Sequence, residues 1–157
     1  MSNVTPPTGE ICRQHLDYMV WADTQHITAV RAHMPHRLEI LEHIFMAERI
    51  WLARIEGNVE AKHLQPPAGA AALAAEWAET HRKWQELAAA QADWSSVVSY
   101  KTMSGLELSS PLWQIALHVS NHGSYHRGQV AAVLRAEGFT PPSTDLILWY
   151  RLTQAQQ

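Results

Sequence analysis

The sequence predicts an all-α protein: four long helices, a short extra C-terminal helix and a small extended hairpin. Proline-containing breaks divide the 157 residues into a few long segments. Within those segments apolar residues recur at the three- and four-residue spacing of a helix. One stretch, 94–109, departs from that spacing and has strand character. At this length we expect one domain covering 1–157.

The first two predicted helices are strongly apolar. The first covers roughly 9–34, with Cys12 and Leu16 among its regularly spaced apolar positions. The second covers roughly 38–56 and is apolar on almost every side, as in a central helix or an oligomer interface. Gly57 predicts its end, because glycine readily takes the left-handed conformation that follows a helix.

The third segment, roughly 69–92, is rich in alanine and carries Trp77 and Trp84 on one side. After it, the stretch 94–109 begins with β-branched and aromatic residues and contains a Ser-Gly turn at Gly105. This pattern predicts a short hairpin between the third and fourth helices.

The fourth helix is predicted to start with Ser110 as its cap and Pro111 as its first residue, and to run to Glu137. A glycine follows and predicts its end. The short last helix is predicted from a Ser143 cap to about Leu152.

Composition excludes several classes of protein. The net charge is −3, and the basic residues are scattered, so nucleic-acid binding is disfavoured. A single cysteine, Cys12, excludes an intrachain disulfide. Neither a signal peptide nor an apolar run of about 18 residues is evident. We therefore expect a cytoplasmic protein that does not associate with membranes.

Three histidines of the predicted fourth helix carry the chemistry. His118, His122 and His126 are spaced four apart and so form a column on one helix face. The same stripe includes Ile115 and Val119, which predicts that the imidazoles face the interior. Buried imidazoles need partners, and one shared metal ion satisfies several of them. A pair at this spacing is a weak signal, whereas a triplet is more specific; structural histidines in a polar core are the alternative.

A third ligand should come from a facing helix. His43 is the best candidate because it lies in the most apolar segment, and its helix face points into a core. Spacing leaves His118, His15 and His26 as alternatives. The remaining histidines are expected to be solvated or near the surface: His33, His36, His63 and His81.

Other residues have structural explanations. Arg127 lies well round the helix from the histidine column, so we expect it to form a salt bridge or a subunit contact. Glu48 points away from the His43 face, which predicts a structural role. Gly123 and Gly128 are unfavourable inside a helix and predict a close approach by a neighbouring helix or hairpin.

Over nearly its whole length the chain resembles the DinB/YfiT-like superfamily. The segment from His118 to Gln129, with its three histidines and Arg-Gly-Gln ending, is the most specific match. Three further blocks support the resemblance: 15–22, 41–54 and 142–150. The resemblance implies an up-down-down-up four-helix bundle, often a homodimer.

The resemblance also implies a three-histidine metal site formed by His43, His122 and His126, with His118 present but not normally a ligand. Three imidazoles leave an open coordination position, as in catalytic sites. They suit Zn, Ni or Fe, so the metal is not determined. His118, Tyr125 and Gln129 are expected to orient the ligands or the substrate. No residue is assigned a direct catalytic role.

The open position permits two reactions. A bound thiol would be deprotonated into a nucleophile, and the resemblance favours this option: a metal-dependent transferase that uses a low-molecular-weight thiol. A hydrolase that uses metal-bound hydroxide is the first alternative. A metal-binding stress protein without turnover is the second.

Overall fold

The computed structural model describes residues 5–58, 61 and 64–155. Its elements in those residues are α1 (Gly9–His33), α2 (Glu39–Ile55), α3 (Ala70–Ala90), β1 (Val97–Lys101), β2 (Glu107–Pro111), α4 (Leu112–Ala136) and α5 (Leu146–Gln154). The strands pair antiparallel, from Val97 opposite Pro111 to Lys101 opposite Glu107. The prediction of a mostly helical protein with one small hairpin is confirmed.

Local sequence signals explain several helix ends. The Thr8 hydroxyl accepts a hydrogen bond from the Ile11 amide at 3.3 Å and caps the start of α1. Gly57 (φ 87°) and Gly138 (φ 85°) follow the last turns of α2 and α4 in the left-handed conformation. Both predicted stops are confirmed.

The predicted start of α4 is wrong. Ser110 does not cap the helix; it lies opposite Val98 in the hairpin, and α4 begins at Leu112. Pro111 keeps an extended backbone (ψ 144°) because it still belongs to β2. The proline therefore ends the strand before it starts the helix.

The predicted Ser143 cap of the last helix is also wrong. This helix begins at Leu146, and Asp145 stands at its cap position without a side-chain hydrogen bond. The Tyr18 hydroxyl donates to the Thr144 carbonyl at 2.7 Å, which fastens the segment before α5 to α1. A tertiary contact thus takes the place of the predicted local cap.

The long helices share their contacts. α1 packs against α3 and α4, and α2 packs against the same two helices and against β1. Trp149 brings α5 against Tyr18 and Ala22 of α1. In the described part of the chain, none of the helices has the length and apolar content needed to cross a membrane.

The core contains two apolar clusters at different heights. The first contains Leu16, Met19, Leu52, Trp84 and Trp113, among others. The second contains Val30, Phe45, Trp77, Val130 and Leu134, among others. Each of the four long helices contributes to both clusters, so each helix passes from one apolar layer to the other.

A polar layer separates the two clusters. It consists of Asp23, Glu48, His81 and Arg127, one buried side chain from each long helix. The prediction that His81 is solvated is therefore wrong, since only 5% of it is exposed. It lies on the same helix face as Trp77, four residues earlier, and the tryptophan stripe carries it inward. The predicted Arg127 salt bridge is confirmed, with Arg127 Nη1 2.6 Å from Asp23 Oδ1.

Candidate metal centre

The structure brings His43, His122 and His126 together. His43 lies on α2, and the other two lie one turn apart on α4. His43 Nε2 is 3.1 Å from His126 Nε2 and 3.1 Å from His122 Nε2. The metal-ligating atoms of the three side chains lie within 4.8 Å of one another.

These separations fit a shared cation. Nitrogens bound to one ion at about 2.0–2.1 Å lie about 3.3 Å apart in a tetrahedral site. His43 Nε2 has two close neighbours, the Nε2 atoms of His122 and His126. A neutral imidazole nitrogen carries either one proton or one lone pair, so His43 Nε2 can form a hydrogen bond with only one of these neighbours at a time. An ion between the rings satisfies both contacts.

Gln129 prepares His126 for such a role. His126 Nδ1 donates a hydrogen bond to Gln129 Oε1 at 2.7 Å, one turn along α4. In the neutral ring this leaves the lone pair on Nε2, the nitrogen that faces His43. Partners of this kind orient histidine ligands and raise their basicity.

His122 and His43 can offer lone pairs at neutral pH. Burial, together with the charges that His126 and His43 would carry, lowers the pKa of His122 to about 4. Burial and the neighbouring His126 also lower the pKa of His43. Both groups are therefore neutral near pH 7, so a metal ion displaces no proton from them.

The expected interior position of the histidine column is wrong. His43 and His118 are exposed, and His122 and His126 are half-buried. The buried positions of α4 lie one residue further along, at Val119, Gly123 and Arg127 among others, about 100° round the helix. On α2, likewise, the core face contains Ile44 and Phe45 and leaves His43 outside. The histidines therefore line a cleft between α2 and α4 that solvent reaches.

Tyr125 and His118 extend the site in opposite directions along α4. The Tyr125 ring packs edge-on against His126, with centroids 5.0 Å apart, and is largely exposed. The His118 ring lies 5.9 Å from that of His122 and packs against Trp51 of α2. Both therefore border the histidine cluster.

A small cavity adjoins the cluster at His118. Its volume is about 290 Å³, and its lining includes Trp51, Tyr100 and His118. The Arg54 guanidinium lies over the Trp51 ring at 4.5 Å and over the Tyr100 ring at 5.0 Å. Aromatic walls with a few polar groups are typical of small-molecule sites. A cleft between α2 and α3, of about 240 Å³, is lined by Arg49, Leu52 and Glu76, among others, and by no histidine of the described residues.

Among the described residues, the other histidines lie away from the cluster. His26 is buried, and its Nδ1 lies 3.0 Å from the Ala22 carbonyl. His15 is half-buried on α1, while His33 and His36 are exposed as expected. His63 lies outside the described residues.

The two glycines of α4 differ. A Cβ on Gly123 would lie 2.6 Å from Arg127 Nη1 and 3.7 Å from Asp23 Oδ1, so this glycine leaves room for the buried ion pair. A Cβ on Gly128 would meet nothing within 4 Å. The expected close approach of a neighbouring helix at Gly128 is therefore wrong.

Fold and site together define a mostly helical protein with a candidate three-histidine metal centre. A family model described as DinB family matches residues 14–157, and the chain belongs to that family. Protein DinB of Bacillus subtilis (strain 168) is 42% identical over 40 residues, which cover 26% of this chain and 23% of that protein. The chain thus spans about a quarter of the curated relative that it matches. No solved structure matches it.

Proposed function

We propose that the protein binds a divalent metal ion through His43, His122 and His126 and acts as a transferase with a low-molecular-weight thiol. The observation that carries the proposal is the convergence of three imidazole nitrogens, with two contacts of 3.1 Å, in a cleft beside an aromatic cavity. Imidazole ligands suit Zn, Ni or Fe. Three protein ligands leave a coordination position for an exogenous group.

A divalent ion held there would lower the pKa of an incoming thiol and so supply a thiolate nucleophile. Trp51 and Tyr100 would hold the electrophile in the adjoining cavity. His118 would receive the thiol proton, because its ring lies beside that of His122, with centroids 5.9 Å apart. Burial and the Arg54 charge lower the pKa of His118, so the ring is neutral before the proton arrives. The thiol sulfur forms a bond to the electrophilic carbon, and the leaving group departs with the electron pair. The proton on His118 then passes to the leaving group or to water.

A metal-dependent hydrolase is the second candidate. The exposure of His43 favours it, since water reaches the open side of the cluster. The two reactions differ in their requirement for a thiol: the transferase consumes one thiol per turnover, and the hydrolase needs none. Metal binding without turnover of either kind would instead indicate a non-catalytic metal-binding protein.

We also propose that the helices form an up-down-down-up four-helix bundle in one domain. Ser120 bonds the His15 carbonyl and Arg127 bonds Asp23, so α1 and α4 ascend together. Helix α2 runs antiparallel to α4, because Trp51 meets His118 whereas His43 meets His126. Helix α3 runs antiparallel to α1, because Asp23 meets His81 whereas Gly9, at the start of α1, lies beside Trp94, just after the end of α3. The expected homodimer stays a prediction, which analytical ultracentrifugation would test.

Elemental analysis tests the metal site. The His122→Ala variant should contain about one zinc ion per chain fewer than the wild type after equal loading. His36→Ala provides the matched control, because His36 is an exposed histidine outside the cluster. Equal zinc in the His122→Ala variant and the wild type would overturn the assigned site.

A thiol panel tests the reaction. We expect zinc-loaded protein to consume bacillithiol, mycothiol or glutathione in the presence of an electrophile, and the chelator-treated protein to consume none. His118→Gln should retain the metal but lose most of the rate. Absence of metal-dependent thiol consumption across the panel would overturn the transferase while leaving the metal site intact.

A further inference from the structure

The polar layer inside the protein contains a second cluster of metal-ligand side chains. Asp23, Glu48 and His81 come from three different helices, and at most 5% of any of them is exposed. Their potential ligand atoms lie within 4.8 Å of one another. None of them belongs to the three-histidine centre, so the cluster is a separate feature of the core.

One oxygen of each carboxylate already has a firm hydrogen-bond partner. Asp23 Oδ1 accepts a hydrogen bond from Arg127 Nη1 at 2.6 Å. Glu48 Oε2 accepts one from Trp77 Nε1 at 2.8 Å. These bonds fix the orientation of both carboxylates, much as outer partners orient metal ligands in known sites.

The remaining atoms have no hydrogen-bond partner in the described part of the chain. They are Asp23 Oδ2, Glu48 Oε1 and His81 Nε2, and each is inaccessible to solvent. His81 Nε2 lies 3.6 Å from Asp23 Oδ2 and 3.4 Å from Glu48 Oε2, longer than the 2.7–2.9 Å typical of charge-assisted hydrogen bonds. Buried polar atoms without partners in a native structure often mark an unseen ion or water.

We propose that this cluster is a second divalent-cation site, with one carboxylate oxygen from each of Asp23 and Glu48 and with His81 Nε2 as its ligands. The separations of 3.4 and 3.6 Å from nitrogen to oxygen are close to the roughly 3.4 Å between ligand atoms of a tetrahedral ion with bonds of about 2.1 Å. Two carboxylates and one imidazole suit Zn²⁺, Mn²⁺ or Fe²⁺. The ligand set is thus harder and more negative than the neutral three-histidine set.

Charge favours a cationic occupant. Two carboxylates against the single guanidinium of Arg127 leave one net negative charge between two apolar clusters. A buried charge without compensation is strongly disfavoured. One proton, on His81 or on Glu48, would balance this charge, whereas a divalent ion would reverse it to one net positive charge unless a hydroxide or another anion also bound to the ion. The experiment must therefore separate a proton from a metal ion.

Metal stoichiometry by native mass spectrometry separates them. Each variant is produced in cells supplied with Zn²⁺ and, in a second preparation, with Mn²⁺, so that the core can be loaded as it folds. The wild type should carry two ions per chain. His122→Ala and Glu48→Gln should carry one each, and the double variant none. Glu79→Gln, an exposed glutamate of α3, is the matched control and should carry two.

Release kinetics keep the test decisive if Glu48→Gln fails to fold. A chromophoric chelator should remove metal from the wild type in two phases, because one site faces solvent and the other is buried. The His122→Ala variant should retain the slow phase alone.

A metal-free His122→Ala variant would overturn the inference, since a proton or a water would then occupy the layer. Two ions in a folded Glu48→Gln variant would overturn it as well. Neither outcome would contradict the three-histidine centre. If instead the wild type released metal without a fast phase, that result would contradict the three-histidine centre and not the buried site.

Discussion

Replacing Gln129 with methionine tests how the exposed centre is organised. Gln129 Oε1 accepts the hydrogen bond from His126 Nδ1 at 2.7 Å and so directs the Nε2 lone pair of that ring towards His43. A methionine side chain is similar to glutamine in length and flexibility, but its sulfur is a poor hydrogen-bond acceptor. The His126 ring then loses the partner that selects its tautomer and orientation.

Removing such a partner weakens metal binding about 10- to 100-fold in comparable sites. At about 1.4 kcal/mol per tenfold change, the expected loss is about 1.4–2.8 kcal/mol of binding free energy. Gln129→Glu keeps an acceptor at the same position, so its affinity should equal or exceed that of the wild type. Both variants keep His43, His122 and His126, so a difference in affinity between them reports on the acceptor at position 129.

Competition with a chromophoric zinc chelator at constant pH measures these affinities. Gln25→Met is the matched control, because Gln25 is an exposed glutamine on α1. An affinity of Gln129→Met within twofold of the Gln25→Met value would refute the reasoning, since the hydrogen bond would then contribute nothing to the site.

The remaining predictions concern the polar layer of the metal-free protein, measured by urea unfolding in chelator. Arg127→Met should lower the free energy of unfolding by about 3–5 kcal/mol, because it leaves Asp23 buried and uncompensated; a loss below about 1 kcal/mol would contradict this. Gly123→Ala should cost about 1–3 kcal/mol, because its Cβ would lie 2.6 Å from the guanidinium, whereas Gly128→Ala should be neutral or stabilising. Burial lowers the pKa of His81, but its two carboxylate neighbours, Asp23 and Glu48, outweigh that effect and raise the pKa to about 9. The resulting stabilisation is complete below about pH 6.5, the usual histidine value, and is lost as the pH rises through 9, a change of about 3 kcal/mol that should be absent in His81→Gln.

The helices were predictable because their signals are local. Apolar spacing located the long helices, and Gly57 and Gly138 marked two of their ends. The column formed by His122 and His126 followed from spacing alone. The resemblance to a known family, rather than any pattern in the residues, selected His43 over His118.

The direction in which the histidines face was not predictable from hydrophobicity. The interior stripe of α4 contains Ser120, Gly123 and Arg127, which carry no apolar signal. The apolar residues Ile115 and Val119 lie close to both the histidine column and the buried face of α4. Because the prediction assigns them to the histidine column, the predicted buried face is wrong by one residue. An error of one residue on a helix turns the face by about 100°.

The polar layer was missed for a related reason. Three of its four members lie on an apolar stripe: Asp23 four residues after Met19, Glu48 four before Leu52, and His81 four after Trp77. Charged residues at core positions of separate helices predict a buried cluster when their charges are of opposite sign and can pair. Read together with Arg127, these three positions indicate one buried cluster, which no single helix indicates alone.

Anomalous X-ray diffraction at the zinc edge, from crystals of the zinc-loaded protein, would locate the ion of the three-histidine centre. We expect an anomalous peak about 2.0–2.1 Å from the Nε2 atoms of His43, His122 and His126. The open side of that ion should face the cavity at His118. Zinc-containing crystals with no peak between these three rings, or with a peak bound by His118 in place of His43, would contradict this assignment.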